Sequence, residues 1–269
     1  MNYQDLFIRL WNEYALQNPS AKKIYNLFSY EGETIENDHI AFRTFNDNRI
    51  NIPVISKAFE KIGYIPKGEY FFEEKKLRAI HLENNIVENS PRVFISELEL
   101  EKCSAFVQDT INNVLNSMRL EEVKKEEIIF KGNVWGKPEF AIYEKLRNES
   151  EYAAWVYVYG FRTNHFTVSI NSLKKYNTIE KVNEFLKQKG FILNSSGGEI
   201  KGTPEMLLQQ SSIMADIIDV EFKEGVHQIP ACYYEFALRF PDADGKLYSG
   251  FHAKSADKIF ESTNFYTKE

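Results

Sequence analysis

Two histidines occupy equivalent positions in a repeated sequence pattern. His39 follows Asp38 at the start of a strand-like segment, and His165 follows Asn164 in the same way. In each copy a predicted helix comes next and ends at a glycine, 24 residues after the first histidine and 25 residues after the second. If the copies pack about a pseudo-twofold axis, their equivalent strands lie together and both imidazoles face one cavity. A lone histidine on a strand is more often an ordinary buried residue, but this pair favours a ligand role.

A carboxylate follows in each copy, on a strand preceded by proline: Glu97 in the first and Glu235 in the second. Burying Glu235 within the apolar run 233–240 costs free energy unless it is paired or bound to a metal. Two histidines and one carboxylate from three strands form a facial triad, which suits non-haem Fe(II) with open coordination positions. We therefore predict that His39, His165 and Glu235 bind a metal. Glu97, as the repeat partner of Glu235, is either a fourth ligand or, more simply, a structural residue.

Arg43 lies four residues after His39 in the first histidine strand. Side chains alternate across a strand, so positions 39, 41 and 43 point the same way. A guanidinium about two pleats from the metal can bind a substrate carboxylate through two hydrogen bonds. The pattern is equally compatible with a structural salt bridge to a nearby acid.

The elements that position these residues predict an α+β fold. Each repeat is a βαβββ unit, and two such modules, at about residues 35–100 and 160–242, form a curved mixed β-sheet around the metal site. Helical periodicity predicts an added N-terminal helical segment over residues 1–30 and a helical insert between the modules over 101–118. We expect the chain, residues 1–269, to be a single functional domain.

Local patterns predict individual elements of the second half. Asn177 and Glu180 form a capping-box pattern that begins a helix, and Gly190 ends it. Aromatic and β-branched residues predict strands over residues 152–159, 161–170, 211–222 and 231–240.

The composition excludes several classes of protein. The chain has 269 residues, 43% of them apolar, and a formal net charge of −6. This acidic balance argues against nucleic acid and against a membrane surface as partners, because both reward clustered Lys and Arg. The only cysteines, Cys103 and Cys232, are too far apart for a cysteine metal motif and too few for a disulfide framework. Without a signal-like or membrane-spanning apolar stretch, we expect a cytoplasmic protein.

Four separated segments of the chain are distinctive. They read His-Ile-Ala-Phe-Arg-Thr at 39–44, Glu-Ser-Glu-Tyr-Ala-Ala-Trp-Val at 149–156, Asn-His-Phe-Thr-Val at 164–168 and Ser-Ala-Asp-Lys-Ile-Phe-Glu-Ser at 255–262. In this order they resemble the 2-oxoadipate dioxygenase/decarboxylase family, which is related to the vicinal-oxygen-chelate (glyoxalase-like) superfamily. The resemblance extends over about residues 35–265. The chain resembles a compact version of the family, with Lys254 where longer bacterial members carry an apolar residue.

The resemblance implies a specific site and reaction. It implies that His39, His165 and Glu235 hold Fe(II), and that His39 and His165 also contact the substrate. It further implies that Arg43 binds a substrate carboxylate and that Lys254-Ser255 lines the far end of the pocket. The partners would be a small-molecule 2-oxo acid and dioxygen. The resemblance implies that 2-oxoadipate gives 2-hydroxyglutarate and carbon dioxide, a reaction of lysine catabolism.

Two other functions stay open at this point. A metal-dependent glyoxalase-type isomerase or hydrolase on the same fold would use a divalent metal without redox chemistry, and would recruit Glu97 as a further ligand. A binding module without chemistry would bind no transition metal, and three convergent ligand types argue against it. The residues do not distinguish one 2-oxo acid or oligomeric state from another.

Overall fold

The computed structural model describes residues 2–118 and 125–263 and begins with two helices. These are α1 (Tyr3–Gln17) and α2 (Pro19–Tyr30). Pro19 suits the first turn of α2, where a missing backbone N–H leaves no helical hydrogen bond unmade. Tyr14 of α1 is buried, and its ring centroid lies 5.1 Å from that of Phe166. The predicted N-terminal helical segment is therefore confirmed.

The first half of the chain forms a βαβββ unit. Its elements are β1 (Asn37–Phe45), α3 (Ile52–Glu60), β2 (Tyr64–Phe72), β3 (Leu77–Asn84) and β4 (Arg92–Leu98). The Asn51 side chain accepts the Val54 N–H and so begins α3. Gly63, at φ +95°, then turns the chain into β2. The predicted βαβββ unit contains strand β2, although its proline, lysine, glycine and glutamate give it a weak local strand pattern.

Helices connect this half to the next within the described residues. They are α4 (Ala105–Asn116), a 3-10 helix (Lys125–Phe130), α5 (Phe140–Glu149) and α6 (Glu151–Tyr159). Helix α4 lies inside the predicted insert. The strand predicted at 152–159 is wrong, because these residues form α6, which Ser150 caps by accepting the Ala153 N–H. Every residue from 152 to 159 is buried, so no polar face reveals the helical period.

The second half repeats the unit with an insertion. Its elements are β5 (Thr163–Ser169), α7 (Ile179–Gln188), β6 (Lys201–Thr203), β7 (Leu208–Ser212), the hairpin strands β8 (Ile217–Phe222) and β9 (Gly225–Pro230), then β10 (Glu235–Arg239) and α8 (Ala253–Phe260). The single strand predicted at 211–222 is wrong, because this range covers the end of β7 and all of β8, which belong to different sheets. Thr178, not Asn177, caps α7.

The strand order shows how the halves combine. The eight-stranded sheet runs β2-β3-β4-β1-β5-β10-β7-β6, and β8 and β9 pair separately. At the centre β1 and β5 are antiparallel, whereas β4 runs parallel to β1 and β10 runs parallel to β5. The two halves are therefore related by a pseudo-twofold axis between β1 and β5. This confirms the predicted mixed sheet of two βαβββ modules.

The two faces of β1 have different surroundings. His39, Ala41 and Arg43 point to one side, which we call the site face, and Phe42 points to the other and packs against Phe59 of α3. Phe251 lies over the site face, 4.8 Å from the ring of His39. No helix in the described part of the chain is both long and apolar enough to cross a membrane.

Candidate metal centre

Strands β1, β5 and β10 bring His39, His165 and Glu235 together on the site face. Ala41 lies opposite His165, and Thr167 lies opposite both His39 and Glu235. Nε2 of His39 is 3.6 Å from Oε1 of Glu235, and Nε2 of His165 is 3.2 Å from Oε2. One potential ligand atom from each of the three residues lies within 4.8 Å of the others. The structure thus assembles the predicted triad at the seam between the two halves.

Each histidine is oriented by the residue that precedes it. Nδ1 of His39 donates to Asp38 Oδ1 at 2.7 Å, and Nδ1 of His165 donates to Asn164 Oδ1 at 2.9 Å. A register shift between Asn37 and His39 marks a bulge in β1 at Asp38. Because Nδ1 carries the proton in each ring, Nε2 presents its lone pair toward the glutamate, as a metal ligand must.

The electrostatics of the triad favour an ionised Glu235 beside a neutral His165. Burial raises the pKa of Glu235, but His39 and His165 outweigh this effect and lower it below its usual value. Burial lowers the pKa of His165. Gln210 of β7 donates to Glu235 Oε1 at 2.6 Å, and each triad side chain is at most 4% exposed. Two imidazole nitrogens and one carboxylate oxygen form a donor set that fits a divalent transition metal, so the triad can hold a metal ion.

Glu97 lies away from this centre. Glu97 lies on β4 and pairs with Thr44 of β1. The preceding residue, Ser96, pairs with Arg43 on the site face, so the side chain of Glu97 points to the other face of the sheet. There it accepts the N–H of Ile52 at the start of α3 at 2.9 Å. Burial raises its pKa. Of the two roles left open by the sequence, the structure supports the structural one: Glu97 lies at a helix terminus and is not a fourth ligand.

The strand register also corrects the repeat partner of Glu235. Glu235 lies opposite Thr167, which is two residues after the histidine of β5. In the first half, the residue two positions after the histidine of β1 is Ala41, and Ala41 pairs with Phe94 of β4. Phe94 therefore occupies the position that corresponds to Glu235. The second half thus supplies a carboxylate where the first supplies an aromatic ring, so the triad has a single acidic ligand.

Arg43 is fully buried on the site face and has both polar and aromatic neighbours. Its Nη1 donates to Glu151 Oε1 at 3.1 Å. The rings of Tyr152, Trp155 and Phe260 lie 5.1, 5.3 and 5.6 Å from the guanidinium carbon. Its Nε and Nη2 have no hydrogen-bond partner in the described ranges. A cleft of about 270 Å³ adjoins Arg43. The structural salt bridge that the sequence pattern allowed is therefore present, between Arg43 and Glu151. It leaves the Nε–Nη2 edge of Arg43 free, and such an edge can bind a carboxylate through two hydrogen bonds.

The two predicted residues near the C-terminus are placed differently. Ser255 of α8 is buried, and its Oγ would lie 3.6 Å from a Cβ added at Gly202, so α8 packs on β6. Lys254 is exposed at the start of the same helix. The structure brings Arg43 to the site face, and the binding role expected for Lys254 stays a prediction.

Several residues around the triad were not identified from the sequence. Phe251 packs edge-on against the first histidine, Gln210 holds Glu235, and Arg239 pairs with Asp38. One signal was present, because Arg239 follows the triad glutamate by four residues, as Arg43 follows the first histidine. Gln210 and Phe251 lie on elements whose proximity to the triad depends on the tertiary fold.

Comparison with known proteins agrees with this geometry. The family model described as 2-oxoadipate dioxygenase/decarboxylase matches residues 6–246. The chain belongs to the 2-oxoadipate dioxygenase/decarboxylase family. The resemblance of the four sequence segments is thereby confirmed.

One similar protein with a curated name and two similar solved structures illustrate the relationship. The rice (Oryza sativa subsp. japonica) protein named 2-oxoadipate dioxygenase/decarboxylase, chloroplastic/amyloplastic, is 37% identical over 275 residues, which cover 93% of this chain and 76% of the rice protein. The crystal structure of hydroxyglutarate synthase in complex with 2-oxoadipate, from Oryza sativa, matches with a TM-score of 0.90 and 34% identity, covering 98% of this chain and 92% of that one. A structure from Shewanella frigidimarina, provisionally named a hydrolase, matches with a TM-score of 0.88 and 49% identity, covering 93% and 97%.

The fold itself extends beyond the 2-oxoadipate dioxygenase/decarboxylase family. A structure from Ralstonia eutropha, assigned to the glyoxalase superfamily, matches with a TM-score of 0.73 and 18% identity over 90% of this chain and 83% of that one. At this identity the likeness concerns the fold alone. It agrees with the predicted vicinal-oxygen-chelate-like architecture.

Proposed function

We propose that this protein is an Fe(II)-dependent dioxygenase that converts 2-oxoadipate and dioxygen to 2-hydroxyglutarate and carbon dioxide. One observation carries the proposal. The His39, His165 and Glu235 triad lies on the same sheet face as the free Nε–Nη2 edge of Arg43. A metal-binding triad and a carboxylate-binding edge on one face fit a 2-oxo acid with a second, distal carboxylate. The name of the solved rice complex, which includes 2-oxoadipate, supports this choice of substrate.

The triad would hold the ion through Nε2 of both histidines and the carboxylate of Glu235. When bound, Fe(II) supplies open coordination positions for the 2-oxo acid and dioxygen, and the electrons for oxygen activation. Asp38 and Asn164 keep both imidazoles in the tautomer with a lone pair on Nε2. Gln210 holds one oxygen of Glu235 and so limits rotation of the carboxylate.

Arg43 orients the far end of the substrate. Its Nη1 donates to Glu151, and aromatic rings surround the guanidinium. Its Nε–Nη2 edge is thereby preorganised to donate two hydrogen bonds to the distal carboxylate. Burial strengthens this charge pairing, because little water competes for the guanidinium. A 2-oxo acid without the distal carboxylate would leave the Nε and Nη2 donors of Arg43 without an acceptor.

The apolar covering of the triad limits side reactions. Phe251 packs on His39, and Tyr233 stacks on His165 with ring centroids 4.7 Å apart. These rings exclude bulk water from the reacting end of the substrate. In the overall reaction the C1 carboxyl leaves as carbon dioxide. One dioxygen atom enters the new carboxyl at the former C2, and the other forms the hydroxyl at the former C3.

Oxygen consumption tests this proposal. Protein loaded anaerobically with Fe(II) is mixed with 2-oxoadipate in an oxygen electrode, and carbon dioxide and 2-hydroxyglutarate are measured together. We expect one of each product per dioxygen consumed. Loss of 2-oxoadipate under strict anaerobiosis, or no oxygen uptake by fully loaded protein, would contradict the proposal.

The same measurements cover the second candidate function, a metal-dependent isomerase or hydrolase on this fold. The provisional name of the Shewanella relative favours testing it. Such an enzyme would turn over without oxygen and would work with a redox-inactive divalent metal. The position of Glu97 on the opposite face of the sheet removes the fourth ligand that this alternative would recruit.

A further inference from the structure

Tyr233 is a buried side chain at the site whose hydroxyl has no assigned task. It lies two residues before Glu235, and its backbone carbonyl accepts the hydroxyl of Tyr14 at 2.5 Å. The next residue, Tyr234, points the opposite way and packs against Trp11 and the ring of Phe236. Tyr233 is therefore held rigidly with its ring on the site face.

The hydroxyl of Tyr233 is available as a hydrogen-bond donor. The side chain is 0% exposed, and the hydroxyl has no hydrogen-bond partner in the part of the chain that the structure describes. A buried hydroxyl without a partner carries a desolvation cost, which a bound ligand can recover. The ring stacks on His165 at an interplanar angle of 28°, so the hydroxyl stays beside the triad.

The strand register places Tyr233 between the two ends of the proposed substrate site. His39 and Arg43 are four residues apart on β1, which corresponds to about 13 Å along the strand. His165 lies opposite Ala41, midway between them. The ring of Tyr233 stacks on His165 and therefore lies over the stretch of the site between His39 and Arg43.

Electrostatics agree that Tyr233 and Arg43 are close. Burial lowers the pKa of Arg43, but Glu151 and Tyr233 raise it above its usual value, so Tyr233 lies within electrostatic range of the guanidinium. Arg43 also has two N–H groups, on Nε and Nη2, without partners among the described residues. Three buried donors, one from Tyr233 and two from Arg43, thus lack acceptors in one region of the site.

Resting on the proposed function, we propose that the Tyr233 hydroxyl donates a hydrogen bond to the distal carboxylate that Arg43 binds. The pair then recognises a dicarboxylic 2-oxo acid. A carboxylate has about four lone-pair positions, so it can accept from two nitrogen donors of a guanidinium and one phenol donor together. Tyr233 is in this way a specificity-determining residue, and a monocarboxylic 2-oxo acid gains nothing from its hydroxyl.

The test is a comparison of two ligands on Tyr233→Phe. The substitution keeps the ring that stacks on His165 and removes only the hydroxyl. Binding of 2-oxoadipate and of 2-oxohexanoate, its analogue without the distal carboxylate, is measured by calorimetry on anaerobic protein loaded with Fe(II). We expect the Kd of 2-oxoadipate to rise about 10- to 100-fold and that of 2-oxohexanoate to stay unchanged.

Tyr234→Phe is the matched control. Tyr234 is equally buried and its hydroxyl also has no partner in the described ranges, but it lies on the opposite side of the chain. This variant should bind both ligands as the unaltered protein does. An unchanged Kd of 2-oxoadipate in Tyr233→Phe, or an equal loss for both ligands, would overturn the proposal. The readout is binding, so it stays informative even if the unaltered protein binds 2-oxoadipate without consuming oxygen.

Discussion

Arg239 and Asp38 form a buried ion pair in which the guanidinium contacts both carboxylate oxygens. Nε lies 2.6 Å from Oδ2, and Nη2 lies 2.9 Å from Oδ1. The same Oδ1 accepts the N–H of His39. A cation on β10 therefore supports a candidate metal ligand on β1, although β5 lies between these strands. The second half of the chain stabilises the histidine of the first half.

Asp38→Asn should weaken both the fold and the metal centre. Asparagine retains an oxygen for His39 but leaves the charge of Arg239 uncompensated, which costs about 3–5 kcal/mol for a buried pair. Loss of charged support for the histidine should lower metal affinity about 10- to 100-fold. Denaturant unfolding and metal titration measure the two effects. Asp47→Asn, in a partly exposed pair with Arg49, is the control and should cost at most about 1 kcal/mol. Equal losses in the two variants would contradict this account.

His165→Ala should abolish stable metal binding, because it removes one of three ligands. We expect the metal content of the dialysed protein to fall close to zero, a larger loss than the about 10- to 100-fold that removal of an outer hydrogen-bond partner causes. His227→Ala is the control, since this histidine stacks on Phe140 and lies outside the triad. Elemental analysis gives the metal-to-protein ratio. Full metal content in His165→Ala would show that the triad is not the metal site.

Arg43→Gln should separate substrate recognition from packing. If the Nε–Nη2 edge binds the distal carboxylate, the affinity for 2-oxoadipate should fall by about 100-fold or more, and that for 2-oxohexanoate should change little. Arg78→Gln, which disrupts an exposed pair with Glu69, should leave both affinities unchanged. If the pair with Glu151 were the whole role of Arg43, the two ligands would respond alike.

Lys201 should give the folding stability a distinctive alkaline pH dependence. Burial lowers its pKa to about 8, and its Nζ donates to the carbonyl of Asn194 at 2.6 Å. Because this pKa lies below that of the unfolded chain, unfolding takes up a proton between the two values, and stability rises with pH from about 8 to about 10.5. The expected gain is roughly 3 kcal/mol.

Lys201→Met should lack this rise, and Lys246→Met, at an exposed turn, should follow the unaltered protein. Denaturant unfolding of the three proteins at several pH values measures the difference. Parallel curves for Lys201→Met and the unaltered protein would show that Lys201 does not cause the rise.

The repeat made the histidines and Arg43 predictable. Equivalent spacing located His39 and His165, and strand alternation placed Arg43 on the same face, because both rules depend on local geometry alone. The partner of Glu235 was not predictable in this way. A difference of one residue along β4 moves a side chain to the other face of the sheet, so Glu97 and Phe94 could be assigned only from the strand register.

Helix α6 shows a second physical limit on prediction. Its residues 152–159 are buried on all sides, between the sheet and neighbouring elements, so their apolar run has no helical period. Aromatic and β-branched residues then favour a strand by propensity, and tertiary packing overrides that preference. Gln210 and Phe251 escaped prediction for a related reason, since long-range pairing and packing, rather than local sequence, bring them to the triad.

Because the metal ligands lie on both sides of the β1–β5 pairing, metal occupancy should indicate whether the two halves of the chain have packed together correctly. One half of the chain contributes a single histidine, and the other contributes a histidine and a glutamate, so neither half alone carries the complete donor set. The binding free energy of an ion held by all three residues is then available only to a chain whose halves have docked correctly. The ion would crosslink the two halves of the chain, and a chain with misaligned central strands would be unable to bind it.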